Sequence, residues 1–228
     1  MINIVNNYQI DDCCGVVKVI GNDKWDENTY ILYNGNEGYI IDPGFGCQDL
    51  CEYIDGKFDI QGILLTHAHH DHLATADYIS KKLNVDCVVH QKDYRLLLHT
   101  AMYSIRFAGA MVKRPQRVKF YDDCFQTFCD WGVEILHTPG HSHGSVCIFF
   151  KNIVFVGDML VRGKLGRTDL PEGDMISMES SVDSFSSILQ KNDIDYIYPG
   201  HGEIWRTTDF LEWWRLRKCS LERNNVYE

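Results

Sequence analysis

Apolar residues fall along the chain in short runs separated by turn-forming clusters, and the spacing within each run predicts its element. Val16–Ile20, Thr29–Tyr33 and Gly38–Ile41 read as strands, the third ended by the turn Asp42-Pro43-Gly44. Residues 47–55 read as a short helix and Ile60–Leu65 as a strand. Leu73–Leu83 carries Leu73, Ala76, Ile79 and Leu83 at helical spacing. Val85–His90 reads as a strand, Lys92–Leu98 as a helix, and residues 100–117 fit either a helix or an irregular flap. Val133–Leu136, Val146–Phe150 and Ile153–Val156 read as strands, Ser180–Gln190 as a helix, Tyr196–Tyr198 as a last short strand, and Asp209–Arg223 as helix. Both halves hold strand–helix–strand units, the pattern of sheets covered on an outer face. The expectation is an α/β fold, a four-layer αββα sandwich. It would form a single domain over residues 1–228, with residues 205–228 as a helical tail packed on it.

Composition narrows the function. The chain has 228 residues, 45% hydrophobic and 24% charged, which suits a soluble domain with a sizeable core. Its net charge is −10 and it has no basic block, so a nucleic-acid partner is not expected. No apolar run approaches a membrane span, and Met1-Ile2-Asn3-Ile4-Val5 does not read as a secretory signal. The nine cysteines are odd in number and form no C-x-x-C pair, which points to a reducing, cytoplasmic compartment. Cys87 and Cys147 sit in apolar runs as buried thiols. Metal binding or disulfide formation stays open for Cys13-Cys14 and for Cys47 with Cys51.

The chemistry concentrates in Thr66-His67-Ala68-His69-His70-Asp71-His72, directly after an apolar strand. Imidazole nitrogen and carboxylate oxygen are ligands of borderline divalent metals. Alternate side chains of an extended chain point the same way, so His67 and His69 can reach one ion. Asp71 and His72, round the turn, can reach a second. A histidine-rich surface loop would be the bland alternative. Three later residues argue against it: His141 in Thr138-Pro139-Gly140-His141, Asp158 after Ile153–Gly157, and His201 in Tyr198-Pro199-Gly200-His201. Each follows an apolar run and sits beside glycine, where the chain can fold sharply over a sheet edge.

This ordered set resembles the metallo-β-lactamase superfamily, over roughly residues 16–204. The resemblance implies the metallo-β-lactamase fold, with the metal site at one edge of the two sheets. It implies one ion on His67, His69 and His141, a second on Asp71, His72 and His201, and Asp158 between them. Zinc is the expected ion, with iron or manganese as alternatives. Two such ions ionise a bridging water near neutral pH and polarise a substrate carbonyl. Asp71 and Asp158 would be the catalytic carboxylates, orienting the hydroxide or carrying its proton. Gly140-His141-Ser142-His143-Gly144 also fits a G-x-S-x-G nucleophile elbow, but a strand-like run follows it where that motif needs a helix.

The segment Gly157–Pro171, with Asn28-Thr29-Tyr30-Ile31-Leu32 and Ile41-Asp42-Pro43-Gly44, is similar to short glyoxalase II-like (hydroxyacylglutathione hydrolase) proteins. That implies a thioesterase acting on a small acyl-thioester. Arg162, Lys164 and Arg167 would meet substrate carboxylates, or else Arg167 and Asp169 simply pair and pin the turn. The long C-terminal helical domain of full-length glyoxalase II is missing from this sequence. Asp209–Lys218 reads as an amphipathic helix docked on the body, or as a cover for substrate or a homodimer contact. His143 stands where these relatives usually have proline, and His70 is an added imidazole; both are expected behind the ligands or facing solvent. Alternatives on the same scaffold are a mononuclear iron persulfide dioxygenase using His67, His141 and Asp158, a lactonase, and a metal-binding module without turnover. A nuclease is disfavoured by the acidic charge, and a flavodiiron protein by His69, where that group usually has glutamate.

Overall fold

The computed structural model describes residues 2–21 and 24–224. Its first sheet is seven-stranded and follows chain order: β1 (Asn3–Gln9), β2 (Cys14–Ile20), β3 (Asn28–Asn34), β4 (Glu37–Ile41), β5 (Asp59–Leu64), β6 (Cys87–Val89) and β7 (Val118–Phe120). The pairs from β1 to β4 are antiparallel, and those from β4 to β7 are parallel. The second sheet holds β8 (Val133–His137), β9 (Val146–Phe150), β10 (Ile153–Val161), β11 (Lys164–Leu165), β12 (Tyr196–His201) and β13 (Trp205–Arg206). Its order is β13-β12-β10-β9-β8, with β11 paired to β10. The helices are α1 (Leu50–Ile54), α2 (Ala76–Leu83), α3 (Tyr94–Leu98), α4 (Thr100–Ala108), α5 (Phe125–Trp131), α6 (Met175–Leu189) and α7 (Thr207–Asn224).

The pleat sorts each strand between two cores. Successive side chains face opposite ways, so Ile31 of β3 packs outward with Leu50, Ile79 and Leu97 of the helices, while Tyr30 and Leu32 pack inward. In β10, Ile153 and Phe155 meet Tyr30 and Leu32 between the sheets, whereas Val154 and Val156 face Val182, Phe185 and Phe210 of α6 and α7. These stacked cores require two facing sheets with helices outside them, the four-layer sandwich expected. Phe185 is fully buried against Phe149 and Phe210; truncating such a ring to alanine costs about 3–5 kcal/mol.

The tail is helical and docked. Phe210 and Trp214 of α7 are buried, Trp214 Nε1 donates to Asp183 Oδ1 at 2.9 Å, and Lys218 Nζ pairs with the same carboxylate. The sequence reading misses β1, whose Asn-rich strand is almost wholly exposed and pairs only as an edge. It also stops β10 and β12 too early. Both run on, through Gly157-Asp158 and through Pro199-Gly200-His201, so Asp158 and His201 are strand residues rather than loop residues. Residues 100–117 resolve into α4, ended by Gly109 at φ 69°, and an irregular stretch leading to β7. Among the described residues no helix is long and apolar enough to cross a membrane. No disulfide joins the cysteines among the described residues; Cys13 and Cys14 have Sγ atoms 3.5 Å apart.

Candidate metal centre

Four chain segments meet at one edge of the sandwich. The stretch after β5 brings His67, His69, Asp71 and His72, the turn after β8 brings His141, and β10 and β12 bring Asp158 and His201. All seven side chains are buried. Ligand atoms of His67, His69 and His141 lie within 4.8 Å of one another, as do those of Asp71, His72 and His201. Asp158 stands between the two trios: its carboxylate oxygens are 3.5 Å from His141 Nε2, 3.2 Å from His72 Nε2 and 3.7 Å from His201 Nε2. His201 Nε2 is also 3.4 Å from Asp71 Oδ2.

Two glycines permit this approach. Gly157 has φ 48°, and a Cβ there would lie 2.3 Å from Thr66 Oγ1. A Cβ on Gly200 would lie 2.2 Å from Asp158 Oδ1 and 2.6 Å from His72 Cε1. Neither position has room for a methyl group.

Hydrogen bonds behind the cluster fix the imidazole tautomers. His72 Nδ1 donates to Asp42 Oδ2 at 3.0 Å. Thr66 Oγ1 donates to the same carboxylate, so it accepts from His67 Nδ1 at 3.1 Å. His141 Nδ1 donates to the Arg167 carbonyl at 2.7 Å. In all three rings Nδ1 carries a proton, which leaves Nε2 as the nitrogen that faces the cluster. His67 Nε2, His69 Nε2, His72 Nε2, His201 Nδ1 and Asp158 Oδ1 are buried with no hydrogen-bond partner. An orphaned buried polar atom costs about 1–3 kcal/mol, and several in one place are the signature of ligands for a cation. His69 Nδ1 and His141 Nε2, 2.8 Å apart, likewise need a proton or cation between them.

The charges agree. Burial, then the other imidazoles, push His67 well below the usual histidine range, and burial and His141 push His69 down to about 3. Burial would raise Asp71 and Asp158, but the flanking imidazoles, His72 foremost, hold both below the carboxylate range. Burial would lower His72 and His201, but the two carboxylates raise both, so in the metal-free chain these rings favour a proton that a bound cation would displace. Neutral nitrogens and ionised carboxylates are the forms that ligate metals.

The supporting residues were harder to foresee. Asp42, read only as a turn residue, accepts from Thr66 N at 2.8 Å as well as from His72 and Thr66 Oγ1. Asp93, fully buried inside a segment read as helix, accepts from Ala68 N, Ser142 Oγ and Gly144 N, tying the His67–His69 stretch to the His141 turn. The Asn28–Leu32 motif gains a physical meaning: Asn28 Nδ2 and Tyr30 Oη both donate to the Pro199 carbonyl, at 2.9 and 2.7 Å, and hold His201 in place. Buried Lys18 donates to the Gly202 carbonyl at 2.7 Å. Glu27, also unforeseen, packs against Gly44 with a buried Oε1 lacking a partner.

Ser142 is no exposed nucleophile. Its Oγ is buried on Asp93 and Ser145, and β9 follows it instead of a helix. Arg167 lines the cavity above the cluster but forms a bidentate pair with Asp169, 2.8 Å on each arm. Arg162 faces Asp26 at 3.8 Å and Lys164 is exposed; neither lines that cavity. His143 is exposed, near Glu172 at 3.9 Å. His70 is buried in the cavity wall, edge-on to Trp25 at 5.2 Å. Asp11, Cys13 and Cys14 form another group of close ligand atoms, on the surface beside Lys151.

Residues 22–201 match the model of the metallo-beta-lactamase superfamily. The chain is 32% identical over 186 residues to the probable metallo-hydrolase MJ0888 of Methanocaldococcus jannaschii, covering 79% of this chain and 89% of that one. It is 28% identical over 193 residues to the hydroxyacylglutathione hydrolase GloC of Haemophilus influenzae, covering 82% and 90%. The crystal structure of TTHA1623 in a di-iron-bound form superposes with a TM-score of 0.73 at 29% identity, covering 85% of this chain and 95% of that one. Fold, convergent site and matched span agree, and the chain belongs to the metallo-beta-lactamase superfamily.

Proposed function

We propose that the protein is a metal-dependent thioesterase of the hydroxyacylglutathione hydrolase type. The observation that carries the metal reading is the convergence of the two buried trios, with His67 Nε2, His72 Nε2 and Asp158 Oδ1 buried there without hydrogen-bond partners. In this reading His67, His69 and His141 hold one divalent ion, and Asp71, His72 and His201 hold another. Asp158, within 3.7 Å of nitrogens from both trios, would help to hold them. The histidine-rich set favours zinc, with iron and manganese as alternatives; the similar TTHA1623 is described in a di-iron form. Such ions lower the pKa of water towards about 7 and polarise a carbonyl.

The chain's own groups supply the rest. Asp71 and Asp158, held ionised by the imidazoles around them, can orient an attacking water and accept its proton on a carboxylate oxygen. Arg167's carbonyl and Asp42 keep His141 and His72 in the tautomers that bind a cation. The thioester assignment draws its support from the similarity to GloC.

The test loads the purified chain with zinc, manganese or iron and follows free thiol release from a panel of acyl-thioesters. Thiol release that falls at least about 100-fold in Asp71→Asn supports the reading. Intact thioesters alongside an opened lactone or β-lactam would overturn the thioester assignment. One iron per chain with oxygen uptake on glutathione persulfide would replace it by the dioxygenase.

A further inference from the structure

The cavity above the cluster measures about 210 Å³. His69, Asp71, His141 and Asp158 form its floor. Its walls are Trp25, Leu96, Tyr103, Phe107, Leu170 and Pro171, with His70 and Arg167. The rings are in register with one another. His70 lies edge-on to Trp25 at 5.2 Å and parallel to Phe107 at 6.4 Å, and Phe107 lies parallel to Tyr103 at 6.3 Å. Met102, Ile105 and Met111, on α4 and just after it, are also exposed.

Charge recognition is weak inside this space. Arg167 is the guanidinium among the walls, and its Nε and Nη2 are paired with Asp169. Lys24 and Arg106 are exposed and lie over the Trp25 and Phe107 rings, at 5.9 and 5.6 Å, rather than among the cavity walls. The volume falls below the roughly 300–1,000 Å³ of sites that enclose drug-sized ligands. A tripeptide thiol would therefore not be enclosed together with its acyl group.

We propose that the site selects a compact, uncharged, apolar acyl group, aromatic or branched, seated on the Trp25–His70–Phe107 ring face, while the thiol carrier stays outside the cavity. This rests on the thioesterase reading for the bond cleaved, though not for the pocket's preference. Water attacks the acyl carbon, the carbon–sulfur bond breaks, and the thiol leaves with a proton as the carboxylic acid forms.

The test uses one carrier, N-acetylcysteamine, and compares its phenylacetyl, isobutyryl, acetyl, lactoyl and succinyl thioesters on the metal-loaded chain. The phenylacetyl and isobutyryl esters should exceed the lactoyl and succinyl esters in kcat/KM by about 10-fold or more. Phe107→Ala, at a half-exposed position, should cut the phenylacetyl-to-acetyl ratio about 10-fold, through KM. Calorimetric titration gives a readout without turnover: phenylacetate should bind at least about 10-fold tighter than lactate or succinate, and less tightly to Phe107→Ala. Preference for lactoyl or succinyl, equal binding of the three acids, or a Phe107→Ala effect that is the same on every ester would overturn the proposal. Selective phenylacetate binding with every thioester left intact sustains the pocket and sinks the thioesterase reading alone.

Discussion

Asp42→Asn tests the ligand geometry from behind, without touching a proposed ligand. Asp42 is buried and accepts from Thr66 N at 2.8 Å, from Thr66 Oγ1 at 2.5 Å and from His72 Nδ1 at 3.0 Å. An asparagine can keep the Thr66 N bond with its carbonyl oxygen. Its amide nitrogen then faces two donors. Thr66 Oγ can rotate away, but His72 must move its proton to Nε2, which removes the lone pair from the cluster. Two hydrogen bonds to a charged acceptor are worth about 1.5–3 kcal/mol each, so about 3–6 kcal/mol is the ceiling if neither is replaced. A change behind a ligand typically costs 10–100-fold, or about 1.4–2.7 kcal/mol, in metal affinity. The assay is competition for zinc against a chromophoric chelator, run below the melting temperature of the variant as followed by circular dichroism. Zinc affinity within about twofold of the parent, in a folded Asp42→Asn chain, would refute the claim that Asp42 sets the His72 tautomer.

Other consequences are as direct. Gly200→Ala should displace the Asp158 carboxylate, whose Oδ1 would lie 2.2 Å from the new Cβ; zinc binding should weaken at least about 10-fold while the melting temperature falls by an overpacking cost of about 1–3 kcal/mol. Glu27, buried without a partner for Oε1, is pushed up to about 8 by burial, so it is protonated in the folded metal-free chain and ionised in the unfolded one above 4.5. Its contribution is full below pH 4.5 and is lost as pH rises towards 8; Glu27→Gln should flatten that decline in pH-dependent melts of the metal-stripped protein, and an unchanged slope would refute it. The exposed Arg167–Asp169 pair should be worth no more than about 1 kcal/mol, and Arg167→Gln should leave zinc affinity intact, because the backbone carbonyl holds His141.

The sequence shows the centre clearly because its residues are chemically rare and closely spaced. Four of the seven come from one six-residue stretch, and the others stand beside glycines that end apolar runs. The strand periodicity also shows the layering, since both faces of the central strands are covered and read as continuous apolar runs. What stays hidden depends on contacts distant in sequence. Asp42 and Asp93 look like a turn residue and a helix residue, and only the fold brings them against Thr66, His72, Ala68 and Gly144. β1 is polar because it is an exposed edge, so no hydrophobic alternation marks it. Apart from His70 and Arg167, the cavity walls come from Trp25, the α3–α4 segment and the Leu170–Pro171 turn, three stretches with no common motif.

Elemental analysis of the chain after zinc loading and removal of excess metal tests the centre most directly. The converging His67, His69 and His141, with Asp71, His72, Asp158 and His201, should retain close to two ions per chain. Replacing His141 by alanine should empty the first position, and replacing His201 the second. A folded parent that keeps no zinc, iron or manganese, or that keeps the same amount after both replacements, would contradict the account.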